Sequence, residues 1–71
     1  MRRSSPPLGN RVTVLLYKRG MTDEMLAARA GVSRAQVNRI RNGRAIPRVA
    51  TAIALAAALG CRVREVFYLK R

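Results

Sequence analysis

The chain has 71 residues, with 15 Lys+Arg against 3 Asp+Glu, no His, one Cys and a formal charge of +12. That length fits one small domain. One Cys closes no internal disulfide, no Cys/His set offers a metal cage, and there is no imidazole for acid–base catalysis near neutral pH. Apolar residues make up 49% of the chain, too many for a disordered basic tail, so the charge calls for a folded domain with a polyanion partner: DNA, RNA or an anionic membrane.

Residues 1–8 read as a flexible basic arm, with Arg2, Arg3, two Ser and an extended Pro6-Pro7 pair. Met1-Arg2-Arg3 could open a signal peptide, but Ser4-Ser5-Pro6-Pro7 follows where an apolar segment would be needed. Residues 9–71 read as the folded domain. Gly20, Gly31, Gly43 and Gly60 each follow a helix-like stretch, as glycines that end helices do.

The first predicted helix spans about residues 10–19, on the 3,4 spacing of Val12, Leu15, Leu16 and Arg19. A second spans 23–30, with Thr22 as N-cap and Asp23 and Glu24 in the first turn, where the helix dipole favours anions. These two and Glu65 are the only acids. Adjacent positions on a helix do not face each other, so Asp23 and Glu24 make no catalytic pair. With no glycine-rich phosphate loop either, the chain is expected not to be an enzyme, with no catalytic residue, metal or cofactor.

A third helix spans about 34–42. Ser33 caps it, and Gln36 three residues on completes a Ser-x-x-Gln capping box. Val37 and Ile40 form its apolar face. A fourth, alanine-rich helix spans about 48–59 with a stripe of Val49, Ala52, Leu55, Ala56 and Leu59. The uncharged run from Val49 to Cys61 has 13 residues, short of the roughly 20 that span a bilayer. A fifth helix spans about 63–69 and carries Val63, Val66 and Phe67. No strand is expected. Cys61 reads as a small buried hydrophobe in a reducing compartment, and the protein as soluble and cytoplasmic.

The second and third helices are joined only by Gly31-Val32-Ser33, which forces a sharp corner. Such a corner needs a small residue at the crossing, a residue tolerant of positive φ, and hydrophobes facing back. Ala27, Gly31, and Val32, Val37 and Ile40 fill those places. The segment from Thr22 to Gly43 resembles the XRE family, the lambda-repressor/Cro-type helix-turn-helix proteins. The resemblance continues through Pro47, Leu55-Ala-Ala-Ala-Leu-Gly60 and Glu65-Val-Phe67, and covers about residues 8–69.

That resemblance implies an all-α, compact five-helix domain with the third helix in the DNA major groove. Dimers would read two half-sites about 34–36 Å apart. It places base-reading positions at Ser33, Arg34, Ala35, Asn38 and Arg39. Chemistry agrees: Arg34 and Arg39 can each grip guanine O6/N7, and Ala35 can touch a thymine methyl. Phosphate contacts fall on Asn42 and Arg44 in the following loop, flanked by Arg41 and Arg48. Gln36, grouped with them, either contacts DNA or only caps. Between Arg29 and Arg48 there are six Arg and no acid. The 13 Arg against 2 Lys suit phosphate and guanine, although a GC-rich genome rich in Arg and Ala codons produces the same bias.

Two departures from the family pattern stand out. The second helix often opens with a phosphate-touching Gln, where this chain has Asp23. An Asp repels phosphate, so Asp23 is expected to pair with Arg34 and orient it. Many members also pair an Arg in the first helix with a Glu near the end of the third. Here those positions are Leu16 and Arg41, which would leave Arg41 free for DNA and make Leu16 either core or, with Val14 and Tyr17, an interface.

The leading expectation is a sequence-specific transcription regulator of bacterial or phage origin: a small repressor that binds a palindromic operator as a dimer, acting at the nucleoid or in a phage-infected cell. At this length no ligand-sensing domain is expected. The dimer surface is expected on the fifth helix through Val66, Tyr68 and Leu69. Other readings are an antitoxin that binds a toxin and represses its own operon, and sequence-neutral nucleic-acid binding. An activator touching RNA polymerase through Asp23 and Glu24 is a further one. The antitoxin reading lacks the usual extra segment after the fifth helix. A membrane peptide fits poorly, because the fourth helix lacks bulky hydrophobes opposite a basic face.

Overall fold

The structure is a computed structural model and describes residues 8–70. In chain order it runs β1 (Leu8–Asn10), α1 (Val12–Arg19), α2 (Asp23–Ala30), α3 (Arg34–Arg41), α4 (Val49–Leu59), α5 (Val63–Val66) and β2 (Phe67–Leu69). The expected five helices are present. A two-stranded antiparallel sheet joins them, against the expectation of no strand, with Leu8 opposite Leu69, Gly9 opposite Tyr68 and Asn10 opposite Phe67. Leu8, assigned above to the arm, is therefore paired in β1. Arg2 and Arg3 lie outside the described residues.

The helix starts follow their caps. The Thr22 hydroxyl accepts from the Met25 N–H at 3.1 Å, and the Ser33 hydroxyl accepts from the Gln36 N–H at 3.0 Å. Only this half of the Ser33–Gln36 box forms among the described residues. Gly20, Gly31, Gly43 and Gly60 all take positive φ, as their places after the helices require. Near the C-terminus the Glu65 carboxylate accepts from the Arg62 N–H at 2.7 Å and starts α5.

Every helix contributes to one core. Val12 and Leu16 come from α1, Leu26 and Ala27 from α2, and Val37 and Ile40 from α3. Ala52, Leu55, Ala56 and Leu59 come from α4, and Val66 and Phe67 close it. Helix α2 packs against both α3 and α4, so the recognition corner rests directly on the core. Burying each Leu or Val side chain of this kind stabilises the fold by about 1.5–3 kcal/mol relative to exposure. Leu16 belongs to this core, while Val14 and Tyr17 stay exposed. Val49, expected in the α4 stripe, is 76% exposed because it sits in the first turn, short of the buried stretch that starts at Ala52. Cys61 is half-buried against the core, with the Arg19 guanidinium 3.4 Å from its Sγ.

The fifth helix is shorter than expected. It stops at Val66, and Phe67 turns to extended backbone at φ −119, ψ 141. The run Val66-Phe67-Tyr68-Leu69 is β-branched and aromatic, and the strand partner Leu8–Asn10 completes it. Tyr68 lies across Gly9, where a side-chain carbon would collide with the ring, and the Arg11 guanidinium sits 4.7 Å from the ring centroid. Val66 is fully buried, so it cannot be a dimer contact, and the exposed Tyr68 and Leu69 belong to β2 rather than to a helix.

Candidate nucleic-acid interface

The corner between α2 and α3 is built as its sequence demands. Gly31 takes φ 74, a conformation that costs most other residues strain. The Gly31 and Val32 N–H groups both donate to the Ala27 carbonyl, at 2.9 and 3.0 Å. Ala27 is buried where the helices meet, and Val32 packs against the core. A bulkier residue at 27 would push α3 off α2.

Successive residues of a helix are about 100° apart, which divides α3 into faces. Val37 and Ile40 point into the core and are buried. On the opposite face Ala35, Asn38 and Arg39 are all exposed. Among the described residues Arg39 has no acidic partner and its side chain makes no hydrogen bond. Arg34 and Arg41 are seven residues apart, two turns, and lie on one flank between these faces. Gln36 lies on the other flank, partly buried. The Ser33 hydroxyl is engaged as the cap.

The flank carrying Arg34 and Arg41 faces the start of α2. The pairing differs from the expected Asp23–Arg34 contact. Glu24 pairs with Arg34 at 3.6 Å, with side chains 72% and 69% exposed, so water screens the contact and its net value is about 0–1 kcal/mol. Asp23 pairs instead with Arg41 at 3.2 Å, with side chains only 17% and 27% exposed. The Arg41 Nε also donates to the Thr13 hydroxyl on α1 at 3.1 Å. Arg41 is thus engaged inside the protein, not left free as the family comparison suggested. The physical reason lies in the spacing: positions 34 and 41 share one flank, and Asp23, the deeper of the two acids, meets the later one. The same burial leaves Glu24 as the more exposed of the two acids.

The loop after α3 folds back on its end. The N–H groups of Asn42, Gly43 and Arg44 donate to the carbonyls of Asn38, Ile40 and Arg39 at 3.1, 3.0 and 2.8 Å. Asn42 and Arg44 are exposed beside the face of Ala35, Asn38 and Arg39, and Arg48 is exposed at the start of α4. The roles of three positions in contacting α3 escaped sequence reasoning. Asn10 donates from Nδ2 to the Ile40 carbonyl at 2.9 Å and accepts from the Val12 N–H at 3.1 Å, joining α1 to the end of α3. Thr13 and Glu24 are the others. For Glu24 a signal existed, since it neighbours Asp23 opposite two arginines at helical spacing. For Asn10 and Thr13 there was none.

Among the described residues no group of three or more His, Cys, Asp or Glu could hold a metal ion, and no helix is long and apolar enough to cross a membrane. The sequence model of the helix-turn-helix family matches residues 14–66. The chain therefore belongs to the helix-turn-helix family, of XRE type, a class of DNA-binding transcriptional regulators. Among solved structures it is similar to the restriction-modification controller protein C.AhdI from Aeromonas hydrophila, at 29% identity and TM-score 0.75, over 78% of this chain and 83% of that one. A proposed DNA-binding protein from Bacteroides fragilis shares the fold at 23% identity and TM-score 0.76, over 86% and 98% of the two chains. The hypothetical transcription factor NHTF from Neisseria shares it at 24% identity and TM-score 0.72, over 78% of this chain and 63% of that one. No curated protein matches the sequence.

Proposed function

We propose that this protein is a sequence-specific repressor that binds a palindromic operator as a dimer, with α3 in the major groove. The observation that carries the reading is the face of α3 opposite Val37 and Ile40. Ala35, Asn38 and Arg39 stand exposed there, on a helix whose other faces are held by the core and by ion pairs. Arg39 supplies a bidentate fork for guanine, Asn38 an amide for base edges, and Ala35 a methyl for thymine. Asn42, Arg44 and Arg48 supply phosphate contacts that set the register. Arg34 reaches the groove from the flank with Glu24 beside it. The DNA-binding domain begins with Leu8 in β1. Repression needs only occupancy of a promoter, and the similarity to a controller protein supports a regulatory role. The protein acts in the cytoplasm, where its DNA target is.

The second copy docks on an apolar face. Val49, Ile53 and Val63 are exposed around a groove lined also by Leu8, Pro47, Ala52 and Phe67. Of the surface expected from sequence, Val66 drops out because it is buried. A patch of this kind on a small basic protein is better explained by a partner than by solvent.

The test is selection of bound sites from a random DNA pool with the full chain. A two-fold symmetric consensus is the expected result, with half-sites about 34–36 Å apart. Recovery of unenriched random sequence would overturn the specific-repressor reading in favour of charge-driven binding.

A further inference from the structure

We infer that Asp23 is a positioning residue for DNA reading, acting through Arg41, and that Arg41 is a strut of the recognition helix rather than a phosphate contact. The inference rests on the proposed function and deepens it. Three helices meet at this strut. Arg41 is the last residue of α3, its Nη1 lies 3.2 Å from Asp23 Oδ2 at the start of α2, and its Nε lies 3.1 Å from the Thr13 hydroxyl on α1. Both charged side chains are mostly withdrawn from water. A guanidinium held by two acceptors on two other helices fixes one geometry, because its donors leave in a rigid planar fork.

The place of the strut on α3 decides what it controls. Val37 and Ile40 hold the helix to the core, but an apolar contact tolerates some roll about the helix axis. Arg41 lies on the flank between the core face and the face of Ala35, Asn38 and Arg39. A bond anchored there opposes roll. The Asn10 amide on the Ile40 carbonyl holds the same turn along the axis. A small roll of α3 displaces the Arg39 fork from a base edge, where geometry is strict, and shifts phosphate contacts less, because they are long and adaptable. Loss of the strut therefore appears as loss of sequence choice before loss of affinity for DNA as such.

A phosphate-contacting Arg41 predicts the opposite. Asp23 would then be a competitor, and its removal would release a cation and strengthen binding to every duplex. The Arg41 head group would also be replaceable by any cation.

The experiment uses the full chain, first selecting its preferred duplex from a random pool. Binding of wild type, Asp23→Asn, Arg41→Gln, the double variant and Arg41→Lys is then measured on that duplex and on a random one, across a salt series. Thermal unfolding fixes a temperature at which all are folded. Asp23→Asn and Arg41→Gln should each cut the preference for the selected duplex by at least about fivefold, and the double variant should be no worse than either single. Arg41→Lys, which keeps the charge but not the fork, should lose the preference too. The salt slope should stay that of wild type. If one variant fails to fold, the rest of the set still decides. The inference is overturned if Asp23→Asn tightens binding to both duplexes, or if Arg41→Gln lowers the salt slope by about one while Arg41→Lys restores it. It is also overturned if site preference is untouched by all four. A wild-type chain with no preference for any duplex would refute the proposed function itself, and the inference with it.

Discussion

Asn10 offers the sharpest test of how the recognition helix is tied down. Its side chain does two things at once. Oδ1 accepts from the Val12 N–H at 3.1 Å, an Asx turn that leads into α1, and Nδ2 donates to the Ile40 carbonyl at 2.9 Å, so it anchors the last turn of α3. Each of these two hydrogen bonds contributes about 0.5–1.5 kcal/mol net. Asn10→Ala should therefore lose about 2 kcal/mol. For a domain of 60–100 residues that is a fall in Tm of roughly 8–16 °C. The two roles separate in Asn10→Asp. Aspartate accepts the Val12 N–H in the same Asx turn, and its charge suits the start of a helix. But it cannot donate, and it sets a carboxylate against the Ile40 carbonyl.

Asn10→Asp should thus lose at least about 1 kcal/mol, from the α3 anchor alone. Thermal and urea unfolding, followed by circular dichroism at neutral pH, measure both variants. If Asn10→Asp is as stable as wild type, the anchor contributes nothing and Asn10 matters only for the turn into α1. If Asn10→Ala costs less than about 0.5 kcal/mol, both bonds are replaced by water and the reasoning fails altogether.

Arg39→Ala should cost about 1–3 kcal/mol on the selected duplex and relax choice at one base pair, read by competition against single-base variants of the site. Arg44→Ala should weaken binding to all duplexes alike and lower the salt slope by about one, and if it behaves as Arg39→Ala does, the assigned division of labour is wrong. Ser33→Ala should lower stability by about 1 kcal/mol through its cap, with the base preference of the folded protein intact. Ile53→Ser, on the exposed rim of the groove, should shift the chain toward monomer in sedimentation while leaving each monomer folded, whereas Val66→Ser, placed in the core, should unfold it.

What was legible in the sequence was local. Thr22, Ser33 and Gly31 announce the helix starts and the corner through interactions a few residues long, and both caps and the positive φ are found where expected. The pairing of Leu8 with Leu69 joins the two ends of the described chain, and no periodicity within three residues could announce it. Tyr68 looked helical because it follows a helix. Its packing on Gly9, the strand residue opposite, could only be read once that partner was known. The acids of α2 show the limit differently. Helical spacing placed Arg34 and Arg41 on one flank, but depth decided which acid each would meet. Asp23 is the more buried acid and took Arg41.

That outcome changes how the net charge bears on DNA. Six arginines between positions 29 and 48 suggest a large electrostatic contribution to binding. Yet the only two acids outside the C-terminal region, Asp23 and Glu24, are each set against an arginine of α3. Of the three arginines in that helix, Arg39 alone carries its full charge to the reading face. The weaker, exposed contact of Arg34 with Glu24 can open on binding, whereas the withdrawn contact of Arg41 with Asp23 resists it. Each phosphate neutralised adds about 0.9 to the slope of log affinity against log salt. The slope should therefore follow Arg44, Arg48 and the loop, with Arg41 missing from it. On this proposal a count of arginines overstates the attraction, because the charge of Arg41 is set against Asp23 within the protein.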